Sequence, residues 1–163
     1  MWLSKPVIAV VAGAAVMFGA VGCGGSSDSA STTPTRTAPW TKEQAGKEYL
    51  KAVARSNRFI VAWKGHPITQ DNVLEYSRGV IRFEDGMARA LAVGQWPTDV
   101  KPVVTRMIRN LSAARVRWVD VVAAGSPEAA WAEWLANDRG PDKRANADAM
   151  QIRVMLGLPG TKP

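Results

Sequence analysis

Between Trp40 and the C-terminus, apolar residues recur every three or four positions and not in any sustained alternation of two. That period is the signature of helices packed along one face, and it leaves no segment suited to a half-buried strand. The clearest case is Val73, Tyr76, Val80, Phe83, Met87, Ala90 and Gly94, and a second stripe follows at Val100, Val104, Met107, Leu111, Ala114, Trp118 and Val121. Both alternate steps of three and four, the spacing of a helix seam.

Start and stop signals divide the chain into helices. Thr41 with Gln44 has the form of a capping box, and Trp40 just before it suits a staple onto Ala45. The stripe Ala45, Tyr49, Ala52, Val53, Ser56, Ile60 and Trp63 then runs to Gly65 and Pro67, which end the helix. Thr69 or Asp71 suits the cap of the second helix and Thr98 or Asp99 that of the third, with Pro102 tolerated in the first turn. Ser126 and Pro127 open a helix bearing Trp131 and Trp134, which residues 138–141 (DRGP) should break. A final helix from about Asp142 presents Ala145, Ala149, Ile152 and Leu156 and stops at Gly157 and Pro159. Short connections favour antiparallel neighbours, so the expected fold is all-α: an up-down antiparallel four-helix bundle with a broken fourth helix, over residues 40–163.

The first 39 residues obey different rules. Lys5, then an apolar stretch from Val7 with small residues at its end, describes a secretory signal peptide over residues 1–22. It is shorter than the roughly 20 apolar residues a membrane-spanning helix needs. Residues 20–23 (AVGC) resemble the lipobox of bacterial lipoproteins, with Ala20 where leucine is usual. The resemblance implies cleavage before Cys23, a diacylglyceryl group on its sulfur and anchoring on the extracytoplasmic face of the cell membrane. Ordinary signal cleavage, leaving Cys23 as a free thiol, is the alternative. Cys23 is the only cysteine, so no disulfide forms within the chain. Residues 24–39 are rich in Gly, Ser, Thr and Pro and too poor in apolar side chains to order themselves. They read as a flexible tether with a root-mean-square span of about 20–24 Å.

The chemical inventory points away from catalysis. His66 is the only histidine and lies between Gly65 and Pro67, where an exposed loop position is expected. Metal-site and nucleophile-elbow patterns are missing, so no metal, cofactor or catalytic residue is expected. Glu84 and Asp85 are adjacent, hence about 100° apart on a helix, and read as solvated charges on an outer face.

Two features remain as candidates for binding. The chain carries 21 Lys and Arg against 14 Asp and Glu. Arg78, Arg82 and Arg89 fall on the outer side of the second helix, where they could attract anionic lipid or cell-wall polymer. Interspersed acids make a merely soluble exterior the plainer reading, and nucleic acid is not an expected partner. Trp131 and Trp134 share a helix face beside the expected break, near Arg139 and Lys143. Aromatics at such spacing more often fill a core, but exposed they would anchor a partner. In overall character the domain resembles small Ala-, Arg- and Trp-rich helical lipoproteins of actinobacteria, in residues 96–100 (WPTDV) and 153–159 (RVMLGLP). Prophage lipoproteins that block superinfection share the order of anchor, linker and small domain. The resulting expectation is a non-enzymatic, membrane-anchored module that engages an envelope protein or an incoming phage component. The alternative is a surface-charge element acting through the arginines.

Overall fold

The computed structural model describes residues 38–159, which lie within one compact unit; the expected signal peptide, Cys23 and nearly all of the expected tether lie outside the described residues. Five helices follow one another: α1 (Lys42–Trp63), α2 (Val73–Ala92), α3 (Lys101–Ala123), α4 (Pro127–Ala136) and α5 (Gly140–Met155). The described residues contain no strand.

The boundaries follow from local chemistry. At α1 the Thr41 hydroxyl accepts from the Gln44 amide at 3.2 Å, while the Gln44 side chain accepts from the Thr41 amide at 3.0 Å, a complete capping box. Gly65, Gly125 and Gly157 take positive φ (82°, 85° and 65°) just beyond α1, α3 and α5, closing each helix in the left-handed conformation. Ser126 caps α4 by accepting from the Ala129 amide at 3.2 Å. The starts of α2 and α3 differ from expectation. Asn72 and Val100 occupy the cap positions without a side-chain cap bond. Asn72 is spent on the preceding turn, accepting from the Thr69 amide at 2.9 Å and donating to the Pro67 carbonyl at 3.1 Å. Asp99 turns outward to Lys42 at 3.1 Å.

Helix α3 is central and buries its whole expected stripe from Val100 to Val121. It packs on α2 and α5, α1 packs on α2, and α4 lies against α3 and α2. Contacts between α1 and α2, and between α3 and α5, run in opposite order: Phe59 of α1 meets Tyr76 and Phe83 of α2, and Lys42 meets Asp99 in the turn after α2. Arg106 and Trp118 of α3 reach Asp148 and Asp142 of α5. A main core around Tyr49, Leu91, Val104 and Ile152 is joined by a smaller one of Val73, Val121 and Ala130. Each large apolar side chain so buried contributes about 1.5–3 kcal/mol.

Two stripes are turned relative to expectation. Ile60 of α1 is 58% exposed, and Phe59 takes the inward position, stacked among Trp63, Tyr76 and Phe83. On α2 Ala90 faces solvent, and the buried series is Val73, Ser77, Val80, Glu84, Met87 and Leu91. Trp40 sets its ring edge-on to Trp96 at 5.3 Å, pinning the start of α1 to the α2–α3 turn.

Candidate functional site

A buried glutamate is the main departure from the sequence reading. Glu84 is only 3% exposed, because position 84 continues the 77, 80, 84, 87 spacing of the seam. The apolar stripe of a helix is wider than 100°, so Phe83 and Glu84 both fit on it. A polar residue at a seam position was the available signal. Two acids adjacent in sequence concealed it, since only Asp85 faces outward enough to pair with Arg115, at 2.6 Å.

Glu84 lines a partly open cavity of about 240 Å³ bordered by α1, α2, α3 and the start of α5. Its aromatic walls are Phe59, Tyr76, Phe83 and Trp118, and Asp142, Arg139 and Asn146 supply polar groups. Helices α1 and α5 make no extensive backbone contact. A second recess of about 280 Å³ runs between them, sharing Ser56, Ile60, Met87, Met107 and Asn146 with the first. Tyr49 bridges the two helices at its far end, its hydroxyl donating to the Ala149 carbonyl at 3.2 Å.

The carboxylates here are poorly satisfied. Glu84 Oε2 and Asp142 Oδ2 are buried and have no hydrogen-bond partner among the described residues. Asp142 Oδ1 accepts from the Trp118 indole at 3.4 Å. Burial first, and then the charges of Asp142 and Asp85, push the Glu84 carboxyl up to about 8, against the opposing pull of Arg115. Burial also raises Asp142 and Tyr76. Asp148 provides the contrast: equally buried, it accepts from Arg106 Nε at 2.6 Å and Asn110 Nδ2 at 2.7 Å. Asp148 is a satisfied structural acid joining α3 to α5. Glu84 is not.

The structure brings Trp131, Trp134 and Arg139 together. The two indoles stack at 4.8 Å with 10° between their planes, half-buried against Val73, Val121 and Ala130. Arg139, at the α4–α5 break, places its guanidinium 4.8 Å from the Trp134 ring and 4.7 Å from Trp118. The tryptophan pair therefore connects through Arg139 to the cavity wall instead of standing free. Lys143 is exposed one turn into α5, and Leu135 is exposed beside the pair. Arg78, Arg82 and Arg89 are all exposed along α2, and none makes an ion pair among the described residues. His66 lies in an exposed loop. Among the described residues no three His, Cys, Asp or Glu side chains converge to hold a metal ion.

In comparison with known proteins, the chain matches no family model, no curated protein and no solved structure.

Proposed function

We propose that this protein is a lipid-anchored, non-enzymatic binding module on the extracytoplasmic face of the membrane, which engages an envelope protein or an incoming phage component. The observation that carries the binding role is the ordered corner at the α4–α5 break. There the Trp131–Trp134 stack, with Arg139 laid over it, stands beside exposed Leu135 and Lys143. Preordered aromatic and arginine side chains are the groups that anchor protein interfaces, because little entropy is lost on contact. The anchoring role is supported by the signal-like residues 1–22 and the AVGC run ending at Cys23. Among the described residues no helix is long and apolar enough to cross a membrane. We read the helices as an up-down antiparallel four-helix bundle whose fourth member is α4 plus α5, a reading supported by the opposed order of contacts along neighbouring helices.

Crosslinking and pull-down from native membranes tests this, comparing the natural chain with Cys23→Ser and with Trp131→Ala plus Trp134→Ala. A discrete protein captured by the natural chain and lost in both variants, with the double variant still folded, supports the reading. Identical capture by all three overturns it. A second reading, contact with anionic lipid or polymer, is favoured by the unpaired Arg78, Arg82 and Arg89. It requires binding to anionic vesicles that weakens steeply with salt and disappears when all three become glutamate.

A further inference from the structure

We infer that the cavity beneath α1 is a binding site for a small organic cation, whose ammonium group pairs with Glu84 between the rings of Phe59, Tyr76, Phe83 and Trp118. The inference does not depend on anchoring or on a protein partner. It begins from the contrast between two acids buried to the same degree, both 3% exposed. Asp148 has an arginine and an asparagine in place, whereas Glu84 lines the cavity and its buried Oε2 has no hydrogen-bond partner among the described residues. An unmade hydrogen bond at a buried polar group is costly, so an acid left in this state on a cavity wall is matched to something that enters.

The surroundings select the charge. Glu84 and Asp142 both lie in the wall, and Asp142 Oδ2 also lacks a partner among the described residues. The guanidinium of Arg139 is already held against two indole rings, leaving the carboxyl groups of Glu84 and Asp142 as the unengaged polar groups. Aromatic faces attract a desolvated cation through the ring quadrupole, and the apolar walls suit an alkyl portion. A bare metal ion fits poorly, since no third ligand converges among the described residues. The volume, about 240 Å³, lies just below the roughly 300–1,000 Å³ of drug-sized pockets, which points to an alkylamine or a compact ammonium compound. The recess between α1 and α5 supplies a route in.

Binding and proton release are linked. The groups facing Glu84 are Asp142 and Arg139 at the α5 start, Tyr76 and Asp85 on α2, and Arg115 on α3; α1 lines the cavity only with Ser56, Phe59 and Ile60. Burial keeps the Glu84 carboxyl protonated near neutral pH. The entering ammonium replaces that proton, which leaves to solvent, and charge inside the cavity is conserved. Affinity therefore rises with pH up to about 8 and then levels.

The test is titration of the full chain, in detergent and amine-free buffer, with n-butylammonium, followed by tryptophan fluorescence and calorimetry. n-Butanol and butanoate serve as neutral and anionic counterparts, with sodium chloride matching ionic strength. We expect saturable binding of butylammonium alone, tightening about tenfold per pH unit below the Glu84 midpoint, and weakened at least tenfold by Glu84→Gln. Arg109→Gln, on the exposed face of α3 and outside the cavity lining, should leave it unchanged. If Glu84→Gln does not fold, Asp142→Asn, expected to weaken binding severalfold, takes its place. No saturation by butylammonium, equal binding of butanol, preference for butanoate, or full affinity in Glu84→Gln each overturns the proposal.

Discussion

Glu84 and Ser77 set the energetic character of this bundle at the scale of single residues, because both occupy seam positions that apolar side chains would fill. The Glu84 carboxyl moves from an ordinary 4.5 up to about 8 on burial. Between those values the folded protein retains a proton that the unfolded chain has released. Stability must therefore fall as pH rises through that window, by up to about 1.4 kcal/mol per pH unit, and then level off. Asp142, raised by burial as well, contributes a decline of the same sign above its ordinary value. We expect thermal melts of the natural chain to show this decline, and Glu84→Gln to flatten most of it and to melt higher at pH 8. An unchanged slope in the variant would place the linkage elsewhere. Ser77 is wholly buried, and its hydroxyl has no partner among the described residues. Ser77→Ala should stabilise the fold by about 1 kcal/mol in denaturant melts, since it removes an unmade hydrogen bond and adds a better helix former.

Helix pairs show what sequence periodicity conveys and what it omits. The stripe of α3 is fully legible, because this helix is covered from several sides and its phase is set by seven apolar residues in strict spacing. The phase of α1 and α2 is not, since it depends on how closely the two can approach. That is decided at Gly79, where a Cβ would run into the ring of Phe59. The close passage draws Phe59 inward, turns Ile60 out to solvent and brings Ser77 and Glu84 under cover. No apolar count along either helix contains that information, so the cavity and its acid were hidden while the helices were plain. Gly79→Ala should therefore destabilise the fold by about 1–3 kcal/mol through overpacking, although an open helix site would gain about 1 kcal/mol from the same change. Gly86→Ala is the internal control. Its Cβ would meet only the Arg55 side chain at 3.6 Å, and it should be neutral or stabilising.

For the whole molecule, stability is unevenly shared, and the candidate corner sits in the weakest part. Helix α4 has ten residues and buries only Ala130 fully, whereas α2 and α3 bury seven residues each. A helix this short is marginal without tertiary support. Its support is the small cluster with Val73 and Val121, the Trp131–Trp134 stack and the Arg139 contact. Arg139 extends this support to Trp118 of α3. The break, at residues 137–139, was legible from the Gly140 and Pro141 that open α5, but the sequence carries no mark of where the severed piece docks. Opening of α4 alone would lift Arg139 from Trp118 and unroof the polar lining of the cavity, leaving α1, α2, α3 and α5 packed. Native-state hydrogen exchange should accordingly show amides 131–136 opening at a free energy about 2 kcal/mol or more below those of 104–118, with little dependence on denaturant. Equal protection and equal denaturant dependence would mean that α4 unfolds only with the whole domain, and that the tryptophan corner and the cavity share one cooperative unit.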